Sequence, residues 1–267
     1  MTLDHTAEFG IDAGRVEHLV AEAEAAVQAG LTPSCQLALA REGRVALFTA
    51  LGQATTGHRY VVFSVTKALI AAAMWILLDE GMLTRSTHVV ELVPEFGTNG
   101  KEAVTVQHLL THTAGFPRAP MHPLEGGTRE ERVRRFEQWW LDWEPGTRFE
   151  YHPSSAHWVL AHLIQAVTGD DYRSWIKQRV ISPFGLRRLE LGAPRAEQED
   201  VLDVRMIGEM AGRRALSDAG IQNADYLLAE MGARQLLRYN EPDVREVGVP
   251  GAGGVSTAAD VALFFQA

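Results

Sequence analysis

The stretch Tyr60-Val61-Val62-Phe63-Ser64-Val65-Thr66-Lys67 joins a strand-like run to the longest apolar run of the chain, residues 68–78. An apolar run of this length cannot cross a bilayer, which needs about 20 residues, so it predicts a helix buried inside protein. Ser64 would then lie at the N-terminal end of that helix, where backbone N–H groups face an incoming anion. We therefore expect a short strand that leads directly into a buried helix with a serine at its start.

Ser64 and Lys67 are three residues apart, so on a helix their side chains share one face and can share a hydrogen bond. A neutral lysine amine can take the proton of a serine hydroxyl and make it nucleophilic. The same spacing recurs at Ser174 and Lys177, where the serine would lie mid-helix among bulky neighbours. We interpret that second pair as a solvent-facing pair without a catalytic role, and Ser64 with Lys67 as the catalytic candidate.

Composition excludes several classes of function. The chain has 267 residues, 46% of them hydrophobic and 22% charged, as in ordinary soluble proteins. Its net charge of -9 provides no positive field for a phosphate backbone, so we expect no nucleic-acid partner. The single cysteine, Cys35, excludes an intramolecular disulfide and a multi-thiolate metal site, and we interpret it as a small buried residue. The N-terminus has no secretion signal, so we expect a chain that is cytoplasmic or already processed, with the cytoplasm favoured. The longest apolar run, residues 68–78, is too short for a membrane span.

N-terminal to Ser64, the sequence predicts one helix and one hairpin. Asp12 can cap a helix with helically spaced apolar residues, and Gly30 can end it. Two strand-like runs, residues 35–39 and 45–48, are separated by the turn-prone residues 41–44. This pattern is typical of a β-hairpin.

C-terminal to Ser64, helix formers dominate to about residue 240. Thr128 and Thr257 are each followed by an acidic residue three positions on, which predicts a helix start at both. Pro153 is suited to a first helical turn and precedes a run with perfect helical spacing.

Four further segments accompany Phe63-Ser64-Val65-Thr66-Lys67 in a specific order. They are Val106-Gln107-His108-Leu109-Leu110-Thr111-His112-Thr113-Ala114-Gly115, Glu144-Pro145-Gly146-Thr147-Arg148-Phe149-Glu150-Tyr151, Val167-Thr168-Gly169 with Pro183-Phe184-Gly185-Leu186, and Gly251-Ala252-Gly253-Gly254-Val255-Ser256-Thr257-Ala258-Ala259-Asp260. In this order and spacing the chain resembles the serine β-lactamase and penicillin-binding superfamily, specifically its class C-like branch with the related carboxylesterases. The resemblance extends from about residue 11 to the end.

The resemblance implies an α+β fold of the β-lactamase/transpeptidase type, with an antiparallel sheet flanked by helices beside a mostly helical region. It implies one domain over residues 1–267, made of a helix and hairpin (11–62), a helical region (63–245) and the start of a return to the sheet (246–267).

The resemblance also implies roles for three residues. Ser64 would be the nucleophile that forms an acyl-enzyme, Lys67 its proton acceptor and Tyr151 a second proton relay, although the identity of the acylation base is contested in the family. Tyr151 also lies in a loop bounded by Gly and Pro just before a helix, where a phenol can reach a neighbouring amine.

The function implied is hydrolysis of a small ester or amide, and a carboxylesterase is favoured because the sequence shows no secretion signal. A β-lactamase or D-Ala-D-Ala peptidase is the alternative. We expect no cofactor, no metal and no membrane partner, and homo-oligomers stay open.

The chain departs from the family pattern at Pro153, where the family usually has Asn or another hydrogen-bonding residue. We expect His152, Ser154 or Ser155 to supply the missing contact to substrate.

The family's third motif, a Lys/His/Trp-x-Gly strand, gives a second oxyanion donor and lies well beyond the Gly-rich residues 251–254. The resemblance implies that this chain stops before that motif, so residues 1–267 alone would be inactive and would aggregate or dimerise through the hairpin edge. The non-enzyme alternative is a family member that binds ligands without turning them over, or an inactive fragment.

The remaining chemically suggestive residues favour structural interpretations. His108 and His112 have the spacing of a zinc helix, but Leu109 stands where the catalytic Glu would be, so we expect helix and loop packing. Gly251 to Gly254 is better interpreted as a tight turn than as a phosphate cradle. Trp139, Trp140 and Trp143 could line an acyl pocket, but a packed helix face is favoured.

Overall fold

The computed structural model describes residue 6, residues 8–207, residue 232 and residues 234–267, and in these ranges helices dominate over short strands. The helices are α1 (Ala13–Gln28), α2 (Thr66–Asp79), α3 (Val89–Leu92), α4 (Val106–Leu110), α5 (Arg129–Gln138), α6 (Ser155–Thr168), α7 (Tyr172–Ile176), α8 (Pro242–Val247) and α9 (Ala258–Phe264). The strands are β1 (Ser34–Arg41), β2 (Arg44–Gly52), β3 (Tyr60–Val61), β4 (Glu190–Leu191) and β5 (Gly254–Ser256).

The predicted hairpin is confirmed as β1 paired antiparallel with β2, with a register shift between Leu39 and Ala40. Its turn residues, Glu42 and Gly43, have φ angles of 53° and 70°. Positive φ at both central residues matches the right-handed twist of the flanking strands. Helices α1 and α9 both contact the two strands. The hairpin is therefore covered by helices from the two ends of the chain, although Cys35 in β1 is half-buried and not fully buried as predicted.

The predicted helix starts are confirmed at their capping residues. Asp12 accepts a hydrogen bond from Arg15 N at the start of α1. The Thr128 side chain accepts a hydrogen bond from Glu131 N at the start of α5. The Thr257 side chain accepts one from Asp260 N at the start of α9. A side-chain oxygen at these positions satisfies a backbone N–H that has no partner inside the helix, so local sequence is enough to set these boundaries.

Helix α6 is central to the helical region. It contacts α2, α3, α4, α5 and α7, and every residue from Ser155 to Ile164 is buried. Helix α2 buries a stripe of apolar side chains: Leu69, Ile70, Ala73, Met74 and Leu77. Its opposite face is open, because Trp75 is 70% exposed. Burial of apolar area on α2 and α6 supplies the main driving force for this region.

Helix α5 ends at Gln138, so the packed helix face predicted for the tryptophans is wrong. Trp139 is buried and lies in contact with Phe116 and Phe136. Trp140 is 71% exposed and belongs to the segment that follows the helix.

The described residues divide into two compact units. One contains residues of 1–60, 199–242 and 256–267, and the other contains residues 61–198 and 243–255. The chain passes from the first unit to the second between Tyr60 and Val61. The predicted division at residues 62 and 245 stays a prediction. The part of the predicted helical region at 208–231 and 233 lies outside the described residues. Among the helices that are described, none is both long and apolar enough to span a membrane.

Candidate active site

Ser64 lies in a 3-10 turn, Phe63–Val65, that leads directly into α2, and its side chain is exposed. Phe63 has a φ of 41°, a left-handed conformation that is rare for a bulky residue. Such backbone strain persists only where surrounding contacts enforce it, and it concentrates at functional sites. The sequence expectation of a serine at the entrance of a helix is confirmed.

Strand β5 holds this turn on both sides. Val62 N donates to the carbonyl oxygen of Gly254 over 2.9 Å, and Gly254 N donates to Thr66 Oγ1 over 2.9 Å. A Cβ on Gly254 would lie 2.8 Å from Thr66 Oγ1, which is closer than Cβ atoms in real proteins lie to any such neighbour. Glycine is therefore required here, because the strand passes directly against the first turn of α2.

Lys67 Nζ lies among three oxygen atoms. It is 3.2 Å from Ser64 Oγ, 2.8 Å from the carbonyl oxygen of Pro153 and 2.7 Å from that of Gly251. A protonated amine can donate to all three. A neutral amine has two N–H groups for the two carbonyls, which leaves its lone pair facing Ser64 Oγ. The two carbonyls thus orient the amine for proton exchange with the serine in either state.

Tyr151 approaches Ser64 with its phenol, and Tyr151 Oη is 2.9 Å from Ser64 Oγ. Burial raises the pKa of Tyr151, but the Lys67 amine and the Ser64 hydroxyl more than offset this effect, so the phenol pKa lies below its ordinary value. Lys67 Nζ is 5.1 Å from the centre of the Tyr151 ring. The Ser64 hydroxyl therefore has a proton-exchanging group within hydrogen-bond distance in two directions.

Two of the three side chains predicted to contact substrate are used inside the protein. His152 is fully buried, its Nε2 accepts a hydrogen bond from Phe116 N, and its Nδ1 lies 2.6 Å from the carbonyl oxygen of Glu150. Ser155 is buried, and its Oγ donates to the carbonyl oxygen of Phe116 over 2.9 Å. Neither side chain is placed to meet a substrate, because its polar atoms are occupied by the backbone. Ser154 is half-buried and keeps a substrate contact open as a prediction.

Pro153 makes its contribution through the backbone. Its carbonyl oxygen accepts from Lys67 Nζ, so a residue without a polar side chain still provides a partner for the lysine. The Gly251 carbonyl is the second such partner, and the segment around it forms the predicted tight turn, with Ala252 N donating to the carbonyl oxygen of Val249. Sequence reasoning missed both carbonyls. The only signal for them was glycine at 251, where a Cβ would lie 2.8 Å from the Pro153 oxygen.

The second serine–lysine pair has a different environment. Ser174 is exposed in α7, and Lys177 forms an ion pair with Glu190 over 3.2 Å. This agrees with the interpretation of a solvent-facing pair. Within the described ranges, no group of His, Cys, Asp or Glu side chains has an arrangement that could hold a metal ion.

Known proteins are similar to this chain in sequence. The esterase/beta-lactamase LipL of Mycobacterium tuberculosis is 28% identical over 222 residues, which cover 78% of this chain and 50% of that protein. Esterase EstB of Burkholderia gladioli is 30% identical over 155 residues, which cover 51% of this chain and 38% of that protein. The chain thus spans half the length of LipL and less of EstB.

Solved structures that are similar to this protein show the fold to which it belongs. A family VIII carboxylesterase matches with a TM-score of 0.71 and 26% identity, over 92% of this chain and 67% of that chain. A penicillin-binding protein homologue from Caulobacter crescentus matches with a TM-score of 0.66 and 25% identity, over 88% of this chain and 64% of that chain. The α+β fold of the β-lactamase type is confirmed by these likenesses. The model of the beta-lactamase family matches residues 20–267, and the chain belongs to that family.

Proposed function

We propose that this protein is a serine hydrolase that transfers the acyl group of a small ester or amide to water through an acyl-enzyme on Ser64. The observation that carries the proposal is the position of Ser64 Oγ, 3.2 Å from Lys67 Nζ and 2.9 Å from Tyr151 Oη. A nucleophile within hydrogen-bond distance of a base that is itself oriented by further groups is the arrangement that nucleophilic catalysis requires.

In the proposed reaction, Ser64 Oγ forms a bond to the carbonyl carbon of the substrate while its proton passes to the Lys67 amine or to the Tyr151 phenolate. The tetrahedral intermediate then loses the alcohol or amine, which leaves with that proton. Water attacks the acyl-enzyme by the same route, so the acid is released and the serine hydroxyl is restored. The N-terminal end of α2 favours the negative charge that develops on the substrate oxygen.

A carboxylesterase is the favoured activity, since LipL, EstB and the family VIII carboxylesterase are all named as esterases. A β-lactamase or D-Ala-D-Ala peptidase is the second candidate. It is favoured by the lactamase part of the LipL name and by a putative penicillin-binding protein, PbpX of Bacillus subtilis, which is 30% identical over 159 residues.

Labelling of the full-length protein with a fluorophosphonate and mapping of the adduct by peptide mass tests the nucleophile. We expect the label on Ser64 and its loss in Ser64→Ala. Ser174→Ala is a matched control with the same serine–lysine spacing, and it should label like the wild-type protein. Labelling that survives Ser64→Ala unchanged would contradict the assignment. A folded protein that binds ester or lactam ligands without any covalent adduct would instead favour the non-catalytic alternative.

Comparison of a p-nitrophenyl ester with a chromogenic cephalosporin separates the two activities. We expect the higher kcat/KM for the ester, and both rates should vanish in Ser64→Ala. Faster turnover of the cephalosporin would favour the β-lactamase. A cytoplasmic location and homo-oligomers stay predictions, and light scattering after size exclusion would test the second.

A further inference from the structure

The segment His112-Thr113-Ala114-Gly115-Phe116 runs along the loop that carries Tyr151, and hydrogen bonds join the two throughout. The bonds are Asp142 N to Gly115 O (2.6 Å), Gly146 N to Thr113 O (2.9 Å), Glu150 N to His112 O (3.2 Å), His152 N to His112 Nδ1 (3.2 Å), Phe116 N to His152 Nε2 (3.2 Å) and Ser155 Oγ to Phe116 O (2.9 Å). The approach is close enough that a Cβ on Gly115 would lie 2.4 Å from the carbonyl oxygen of Trp143.

Within this set of bonds, His112 has a particular position relative to Tyr151. Its backbone carbonyl accepts from the residue before the tyrosine and its side-chain Nδ1 accepts from the residue after it. One residue therefore binds the backbone N–H groups of both neighbours of Tyr151. The imidazole ring of His112 and the phenol ring of Tyr151 are also in contact, with 4.9 Å between their centres.

The backbone of His112 explains how it reaches both groups. Its φ of 57° is left-handed, a conformation that costs free energy for any residue with a Cβ and that Asn and His tolerate better than most. This turn of the chain after α4 directs the carbonyl and the imidazole of one residue to the same stretch of backbone. Strain of this kind is retained where the surrounding contacts require it.

The bond to His152 N also fixes the protonation of the ring. An Nδ1 that accepts a hydrogen bond carries no proton, so neutral His112 has its proton on Nε2. Burial lowers the pKa of His112, and electrostatic interactions with His152 and Lys67 lower it further. The imidazole is therefore kept in the form that can accept.

We propose that His112 is a positioning residue for the reaction, which holds the Tyr151 phenol against Ser64 by binding the backbone N–H groups of the residues before and after the tyrosine. This inference rests on the proposed function, because it assigns His112 an effect on catalysis through Tyr151. The competing interpretation is that His112 only stabilises the loop. It would then affect the free energy of unfolding and leave the chemistry of Tyr151 unchanged.

Three variants separate the two interpretations. His112→Ala removes the Nδ1 acceptor. His112→Asn keeps an acceptor oxygen close to the position of Nδ1 and tolerates a left-handed backbone. His58→Ala is the matched control, because His58 Nδ1 also accepts from a backbone N–H, that of Thr55 three residues earlier, in the segment between β2 and β3.

We expect His112→Ala to lower kcat for ester hydrolysis about 10- to 100-fold with little change in KM, since a misplacement of a catalytic group by about 1 Å costs this much. His112→Asn should restore most of kcat. His58→Ala should lower the temperature of unfolding and leave kcat unchanged. Equal kcat in His112→Ala and wild type, or equal losses in the Ala and Asn variants of His112, would overturn the proposal.

A spectroscopic measurement follows the phenol without reference to activity. The chain has five tyrosines, and the ultraviolet difference titration of each protein against the same protein with Tyr151→Phe isolates the Tyr151 phenol. In His112→Ala we expect its pKa to rise towards the ordinary tyrosine value as the phenol leaves Lys67 and Ser64. If wild-type Ser64 is not acylated, the proposed function fails, while the titration still decides whether His112 positions the phenol. An unchanged phenol pKa in His112→Ala overturns the positioning role in either case.

Discussion

Replacement of Gly251 by alanine is expected to disable the lysine without removing any polar group. The added Cβ would lie 2.8 Å from the carbonyl oxygen of Pro153, 3.3 Å from Ser154 Cα and 3.4 Å from Lys67 Nζ. Ordinary contact begins at 3.4 Å, so the carbon and the Pro153 oxygen must separate by 3.4 − 2.8 = 0.6 Å. The two atoms nearest to the new carbon belong to the backbone of Pro153 and Ser154, so they cannot rotate aside as the end of a flexible side chain can.

A displacement of this size along the line to Lys67 would lengthen the Nζ to Pro153 oxygen distance from 2.8 Å to about 3.4 Å, beyond the range of a strong hydrogen bond. Loss of a hydrogen bond to a charged group costs about 1.5–3 kcal/mol. At about 1.4 kcal/mol for each tenfold change in rate, we expect acylation of Ser64 to slow about 10- to 100-fold.

The assay is the rate at which a fluorophosphonate labels Ser64 by phosphonylation, measured together with thermal unfolding. Gly57→Ala is the control, because its Cβ would meet only Thr55 Oγ1 at an ordinary 3.5 Å. The control should be labelled at the wild-type rate. Labelling of Gly251→Ala at the wild-type rate would show that the two carbonyls do not orient Lys67.

Two further predictions concern the proton path and a buried histidine. Lys67→Ala and Tyr151→Phe should each lower kcat strongly. The kcat of the double variant should be scarcely lower than that of the slower single variant, because the effects of groups that act as a unit are non-additive. A double variant whose loss of kcat is the product of the two single losses would argue against a shared proton path. Burial, together with the charges of Arg132 and Arg129, lowers the pKa of His162 to about 3, so the folded protein excludes a proton that the unfolded chain binds below about pH 6.5. The free energy of unfolding should therefore fall as the pH falls from about 6.5 towards 3, with a slope from this group of up to about 1.4 kcal/mol per pH unit. Denaturant unfolding of His162→Gln at several pH values should show a shallower decline, and an identical pH profile would contradict the pKa.

Local features of the fold could be predicted because their causes are local. The cap at Asp12 and the turn at Glu42 and Gly43 each depend on residues within a few positions of one another. The pairing of Ser64 with Lys67 is also local, since three residues on one helix face suffice to bring the side chains together. Tyr151, by contrast, is 87 residues from Ser64 in the chain. From the sequence, only the family resemblance places the two residues in one site.

The other contacts of the site depend on tertiary structure and on the backbone. The carbonyls that hold Lys67 are 86 and 184 residues away, and every residue has a carbonyl, so residue type gives no signal for them. His152 was predicted to contact substrate because it is a polar neighbour of Pro153, where the family's polar residue is absent. The backbone N–H of Phe116, 36 residues away in the chain, instead donates to the buried His152 ring. Whether a polar side chain faces solvent or the core is decided by which segment packs on it.

The same observation explains how proline is compatible with this site at position 153. In the family pattern a polar side chain stands there, but here the lysine is bound by a main-chain oxygen, which is unaffected by the identity of the side chain. The position of Lys67 therefore depends on the path of the backbone at residue 153 and not on the chemistry of the side chain there. Gly251 allows the two carbonyls to approach each other, and Gly115 allows the loop of Tyr151 to approach the segment that includes His112. Substitutions that change this path should therefore affect catalysis more than substitutions that change polarity at position 153.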